Sequence, residues 1–214
     1  MNISNTKVYD LEEAIVASGL PMRTEFDADT FRVDSANVAF DTSENTVGLQ
    51  LYRAIKLSKN PSNSGHCSFL KLITVNANFT ASIKWWEQAQ RYSFFFLGSS
   101  QSTLHKAKSM NMLDVVKGAD PRIIEAITAI QKDFNDGKIE LNQFIKSIPV
   151  GLELTCRCST NYLQLRTMYA QRCAIKHRLD DWQDFGKWVE GLPYAKEFIT
   201  LKESDESIQE ANTP

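Results

Sequence analysis

Residues 150–172 read VGLELTCRCSTNYLQLRTMYAQR, and two structural periods meet inside that stretch. From Val150 to Cys158, Leu152, Leu154, Cys156 and Cys158 alternate with Glu153, Thr155 and Arg157, the period of a strand with one buried face. Ser159 or Thr160 can then cap a long helix running to about Leu179. Within it Asn161, Leu165, Met168 and Arg172 stand at i, i+4, i+7 and i+11. At ~100° per residue these offsets return to within roughly 40° of one line, so Asn161 and Arg172 share a face about 16 Å apart. A guanidinium on a half-buried face needs an acceptor, which an anion, a carbonyl or an internal carboxylate would supply.

Upstream, a short strand at Lys7–Tyr9 leads to a helix from about Leu11 to Ser18, stopped by Gly19 and Pro21. Short strands are expected at Phe31–Val33 and Val38–Phe40. A helix is expected over Thr46–Ser58, with Leu49, Tyr52 and Ile55 on one side. The Lys59–Gly65 segment KNPSNSG is a loop, and Cys67–Val75, CSFLKLITV, has the β-branched and aromatic content of a buried strand. From Asn78 to about Phe96 the pattern reads as helical. Phe79, Ile83, Trp86 and Gln90 share one face, with Trp85, Tyr92 and Phe96 on a neighbouring one. The segment Ser99–Ser109 reads as a loop. Asp120 and Pro121 open a helix to Asn135, a second helix covers 139–147, and a last one runs from Asp181 to Glu190, closed by Gly191 and Pro193. Several helices among a few separated strands give an α+β or mixed α/β class, with residues 1–202 as one domain. The tail, 203–214, is acidic and polar and is expected to be disordered.

The chain has 214 residues, with 24 Lys and Arg against 26 Asp and Glu. A net charge of -2 excludes attachment to nucleic acid by bulk basic charge but leaves room for a local anion pocket. The first twenty residues carry acids among their apolar side chains, and no run approaches the ~18 apolar residues of a spanning helix. Together with the four cysteines, whose Cys156-x-Cys158 spacing is not that of a zinc site, this predicts a cytoplasmic protein with reduced thiols and no membrane partner.

Two groups of residues could carry chemistry beside the Asn161–Arg172 face. One is Gly65-His66 with Trp85-Trp86-Glu87-Gln88 and Arg91-Tyr92. The other is Ser99-Ser100-Gln101-Ser102-Thr103-Leu104-His105-Lys106, whose hydroxyls, amide and ammonium can donate to a phosphate. A solvated surface loop has the same composition. There is no GxSxG, P-loop, GxGxxG or HExxH, so an enzyme of this sequence would depend on a cofactor more than on a nucleophilic side chain.

The order of GHCSFLKLITV, a helix ending near QRY, SSQS, IPVGLEL and NYLQLRTMYAQR resembles the flavin-dependent thymidylate synthases, over about Phe40 to Ile199. The S-x-S-T-L-H-K loop and the Trp85-Trp86 helix resemble divergent relatives from bacteriophage and prophage genomes, so host cytoplasm is the expected location if the chain is phage-encoded. The resemblance implies their α+β fold, a central sheet flanked by helices, and a homotetramer with sites between subunits. The aromatic helix 78–96 and the cysteine-bearing strand are then candidates for interface burial. It also implies an enzyme of the methyl- or hydroxymethyl-transferring type that acts on dUMP or a related pyrimidine nucleotide, with FAD and a folate.

Carried over singly, Asn161 matches the Asn that begins the family's long helix, and Arg172 matches its Arg, which contacts the pyrimidine and is the catalytic candidate. Ser102 matches the signature serine at the phosphate, with Gln101 and Ser99 beside it. Lys106 would replace a lost Arg. Lys146 lies one residue from a phosphate-binding Arg. His66 matches the His before the strand and, with Arg91, is the candidate for the cofactor side. Where the family's flavin-binding Arg-His-Arg should stand, this chain has Glu87-Gln88-Ala89. Weak or absent FAD binding is therefore expected. The alternatives to the enzyme are a non-catalytic nucleotide-binding protein, such as a phage nucleotide sponge or accessory regulator, and a scaffold without a ligand.

Overall fold

A computed structural model describes residues 1–22, 40–41, 46–174 and 179–201. Its strands are β1 (Asn2–Tyr9), β2 (Phe40–Asp41), β3 (Thr46–Val47), β4 (Thr74–Ser82), β5 (Phe96–Ser100) and β6 (Glu153–Asn161). Its α-helices are α1 (Leu11–Ala17), α2 (Leu49–Ser58), α3 (Ile83–Ala89), α4 (Thr103–Ser109), α5 (Met112–Val115), α6 (Pro121–Asn135), α7 (Leu141–Ser147), α8 (Tyr162–Arg172) and α9 (Asp181–Glu190). One sheet has the order β1-β4-β6-β5, and β2 pairs with β3 in a second. The α+β class read from the sequence is the class observed. No described helix is long and apolar enough to cross a membrane.

The described residues divide into two compact units. The first contains residues 1–6, 76–159 and 179–185. Its sheet buries Ala77, Phe79 and Ala81 of β4 and Cys156 and Cys158 of β6. An aromatic core packs on them. Trp85 is fully buried, with ring centroids 5.2 Å from Trp182, 5.9 Å from Phe95 and 6.1 Å from Phe79. A satellite core under α4–α7 gathers Ala107, Met112, Val115, Val116, Ile127, Phe144 and Leu152, with Phe134 stacked 4.5 Å from Phe144.

The second unit contains residues 7–75, 160–174 and 186–201. Its core joins Ile15, Leu51, Leu70, Tyr162, Leu165, Met168 and Phe198, all essentially without exposure. Arg166 of α8 is 7% exposed and ties the chain after α2 to this core. It donates to Ser58 O at 2.7 Å, to Asn60 O at 2.9 Å and to Cys67 Sγ at 3.5 Å. Those carbonyls lie at the negative end of the α2 dipole, where a cation is favoured.

Several elements differ from the sequence reading. Gly65–Lys71 is a 3₁₀ helix, opened by Ser64 Oγ accepting from His66 N at 3.2 Å, and the strand begins only at Thr74. A short continuous apolar run is compatible with either structure, and here Cys67 and Leu70 face inward at the spacing of three. The expected helix 78–96 is instead the end of β4, the short α3 and the start of β5. Val75, Ala77, Phe79 and Ala81 alternate inward, a period obscured by small residues, and Ser82 ends the strand by accepting from Trp85 N at 3.2 Å. The aromatics of this stretch are therefore largely core. Trp85, Trp86, Phe79 and Phe95 are 0–5% exposed in the single chain and no longer argue for subunit burial.

Leu49 and Tyr52 of α2 are 78% and 58% exposed, while Leu51, Ala54 and Ser58 face inward, so the inward face is not the one expected. The 99–109 loop contains α4. The strand begins three residues later than expected, and Asn161, not Ser159 or Thr160, caps α8. The long helix also ends at Arg172, with Cys173 as its C-cap, well short of the expected Leu179. The strand expected at Phe31–Val33, most of Val38–Phe40 and the acidic tail lie outside the described residues, apart from Phe40 in β2.

Candidate functional site

In the first unit, β5 runs antiparallel to β6, pairing Leu97 with Cys158 and Ser99 with Arg157 across a bulge. Gly98 occupies that bulge. A Cβ there would lie 3.2 Å from the carbonyl oxygen of Arg157, so a side chain would press on the backbone of the neighbouring strand. The bulged end of β5 borders a cleft of about 320 Å³. Ile83, Trp86, Glu87 and Gln90 line it from α3 and the residue beyond. Leu97, Ser100, Gln101 and Thr103 line it from β5 and the start of α4, and Leu154 and Cys156 from β6.

Gln101 organises the rim. Its backbone N–H donates to Thr155 O at 2.9 Å, and its side-chain oxygen accepts from Thr155 N at 3.0 Å and from Lys106 Nζ at 2.9 Å. Partial burial holds the Lys106 ammonium below its ordinary pKa, with Glu153 opposing and Lys117 adding to the shift. Ser102 Oγ accepts from His105 N at 3.4 Å and so begins α4. On the opposite wall Trp86 Nε1 donates to Leu154 O at 3.2 Å, which fixes the indole. The cleft thus offers apolar walls, two amides, two hydroxyls and one carboxylate.

The sequence-derived residues fall as follows. Ser99, Gln101, Ser102 and Lys106 lie on one strand-to-helix turn, with Gln101 and Lys106 in contact. Lys146 is exposed on α7, and Arg91 is exposed in the turn after α3. In the second unit Asn161 Oδ1 accepts from Gln164 N at 2.9 Å as the cap of α8. Leu165 and Met168 of the predicted face are fully buried, and Arg172 closes the helix partly buried. His66 is exposed at the start of the 3₁₀ turn. Sequence reasoning had grouped Trp86, Glu87 and Thr103 of this cleft, but missed the contributions of Gln90 and Cys156. The Ser-x-x-His spacing at Ser102 was a signal, since a Ser before a helical run is a cap.

The positions at which the resemblance expects Arg-His-Arg are occupied otherwise. Glu87 lines the cleft and accepts from Lys84 Nζ at 2.8 Å. Gln88 accepts from Trp182 Nε1 at 2.8 Å, and Ala89 is fully buried. None of the three supplies a cation, so these positions offer no charge-assisted donor to a flavin pyrophosphate. Among the described residues no group of three or more His, Cys, Asp or Glu is placed to hold a metal ion.

No protein-family model matches the sequence, and no curated protein matches it. Solved structures do. The flavin-dependent thymidylate synthase ThyX from Helicobacter pylori, complexed with FAD and dUMP, aligns with a TM-score of 0.69 at 15% identity, over 94% of this chain and 98% of that one. A UMP/dUMP methylase, PolB from Streptomyces cacaoi, bound with 5-Br dUMP, aligns with a TM-score of 0.57 at 13% identity, over 94% and 95%. Across nearly its whole length, this chain has the fold of the flavin-dependent thymidylate synthases.

Proposed function

We propose that the protein acts on dUMP or a related pyrimidine nucleotide, in the manner of a flavin-dependent thymidylate synthase-like protein. The observation that carries this reading is the likeness, over 94% of the chain, to two proteins whose complexes hold dUMP and its 5-bromo derivative. In this reading Arg172 anchors the base and polarises a carbonyl, and Asn161 supports the same helix. Ser99, Gln101 and Ser102 of another subunit, with the ammonium of its Lys106, serve the phosphate, and Lys146 adds charge to that end. His66 and Arg91 are left for the cofactor side.

A second reading has its own observation. With Glu87, Gln88 and Ala89 at the flavin positions, the protein binds the nucleotide without flavin chemistry. Two lost charge-assisted donors correspond to about two to four orders of magnitude in flavin affinity. Calorimetry with dUMP tests the shared nucleotide claim, and an absorption spectrum of the purified protein separates the two readings. Nucleotide binding with no flavin band supports the binder. A flavin band at near one per chain restores the enzyme. No heat with dUMP, UMP or their cytosine counterparts ends both. Arg172→Ala is expected to weaken dUMP by roughly 10- to 150-fold, the loss of one charged fork, with the melting temperature held. A large fall in melting temperature with unchanged affinity would make Arg172 structural.

A further inference from the structure

The second unit contains a cleft that the nucleotide reading does not use. It has a volume of about 460 Å³, inside the ~300–1,000 Å³ range of small-molecule sites. Pro61 and Ser62 of the loop after α2 form one wall. Tyr169, Ala170 and Ala174, along and just past α8, form a second, and Ile199 to Leu201 the third. The lining is mostly apolar, but beside Ser62, Thr167 and Gln171 it contains the two polar residues that matter most here, Arg166 and Thr200.

Those two residues give the cleft its chemistry. Arg166 is a 7%-exposed cation, and among the described residues its partners are two main-chain carbonyls and a cysteine sulfur, with no carboxylate. A buried charge requires compensation, and the end of α2 supplies only roughly half an elementary charge. Its Nη1 donates twice and its Nη2 once, which uses three of the five N–H donors that the guanidinium has to place. Thr200 Oγ1 is buried and has no hydrogen-bond partner among the described residues. A hydroxyl left in that state costs free energy unless something else satisfies it. One cavity therefore holds positive charge that is only partly compensated, a hydroxyl with no partner among the described residues, and apolar walls.

We propose that this cleft binds a small carboxylate with an apolar body, its carboxylate on Arg166 and Thr200 and its body along Tyr169, Ala170, Ile199 and Leu201. Charge complementarity selects the anionic head. The predominance of apolar lining selects the body and disfavours a bare inorganic anion, which would lose its hydration without gaining apolar contact.

Octanoate is the probe, with octanol, acetate and inorganic phosphate as comparisons, titrated into the full chain by calorimetry. Octanoate is expected to bind. Octanol should be about 10- to 150-fold weaker for want of a charge-assisted hydrogen bond, and acetate and phosphate weaker still. Arg166 is a poor first variant because it also holds the α2 end. Thr200→Val removes the unpaired hydroxyl at nearly constant shape and should weaken octanoate by about 3- to 10-fold. Ala170→Trp fills the cleft from α8 and should abolish binding with the melting temperature of the unliganded protein kept. The proposal is overturned if octanoate gives no heat, if octanol, acetate or phosphate binds as tightly, or if folded Ala170→Trp binds octanoate like the parent. None of these results depends on dUMP binding, so the two readings fail separately.

Discussion

Cys173 shows how burial at a single residue becomes a property of the protein. Desolvation pushes its thiol up to about 12, and the carboxylate of Glu190 adds to the shift. The neutral form is favoured in the fold, so its stabilising contribution is whole below pH about 9, the ordinary thiol value, and is lost as pH rises from there toward 12. Denaturant midpoints at pH 8 and pH 10.5 should fall further for the parent than for Cys173→Ala, because the variant has no thiol to ionise. Equal losses would show that the thiol is not the linked group. Tyr162 is also shifted upward by burial, and it contributes equally to both proteins. From the sequence, reduced thiols were legible. That Cys173 would be shielded and Cys67 would touch Arg166 was not, because both contacts join distant segments.

At the scale of elements, legibility followed capping. Helix α6 was placed correctly because Asp120 and Pro121 mark its start, and Asp120 accepts from Arg122 N at 2.9 Å. The start of α3 was missed because its cap, Ser82, follows a strand whose inward residues are partly alanines. Helix α8 lies between these cases. Asn161 was selected for its place on a face with Arg172, and its side-chain oxygen is occupied in capping. The two roles separate on substitution. Asn161→Asp keeps an acceptor for Gln164 N and should keep the melting temperature, whereas Asn161→Ala should cost about 1 kcal/mol of stability. If the amide also meets the nucleotide, Asn161→Asp alone should weaken dUMP. Thermal melts and dUMP titrations of the pair give the answer, and parental dUMP affinity in the aspartate variant confines Asn161 to capping.

For the whole molecule, the sequence carried the α+β class and the resemblance, whereas the surface was poorly legible. Amphipathic α2 presents the face opposite to the one expected, because Ala54 and Ser58 fit closely inside while Leu49 and Tyr52 stand outside. Exposed apolar groups are the remaining argument for assembly, now that the Trp85-Trp86 pair belongs to the core. On the first unit, Phe94 and Phe96 are 54% and 57% exposed, packed edge to face at 6.4 Å, beside Leu97 at the edge strand β5. An exposed aromatic edge invites pairing with another chain and is blunted only by charge, bulging or a partner. The edge is bulged at Leu97–Ser99, but its exposed aromatic pair remains uncovered and suits the homotetramer that the resemblance implies. Light scattering at micromolar concentration should then give a particle four times the 24.3 kDa chain mass. Phe96→Lys should lower that mass without lowering helical content, since a residue 57% exposed contributes little to its own unit's core. A parent that scatters as one chain would end the tetramer reading. A tetramer indifferent to Phe96→Lys would move the interface elsewhere, with Leu49 and Tyr52 of α2 the next apolar pair to substitute.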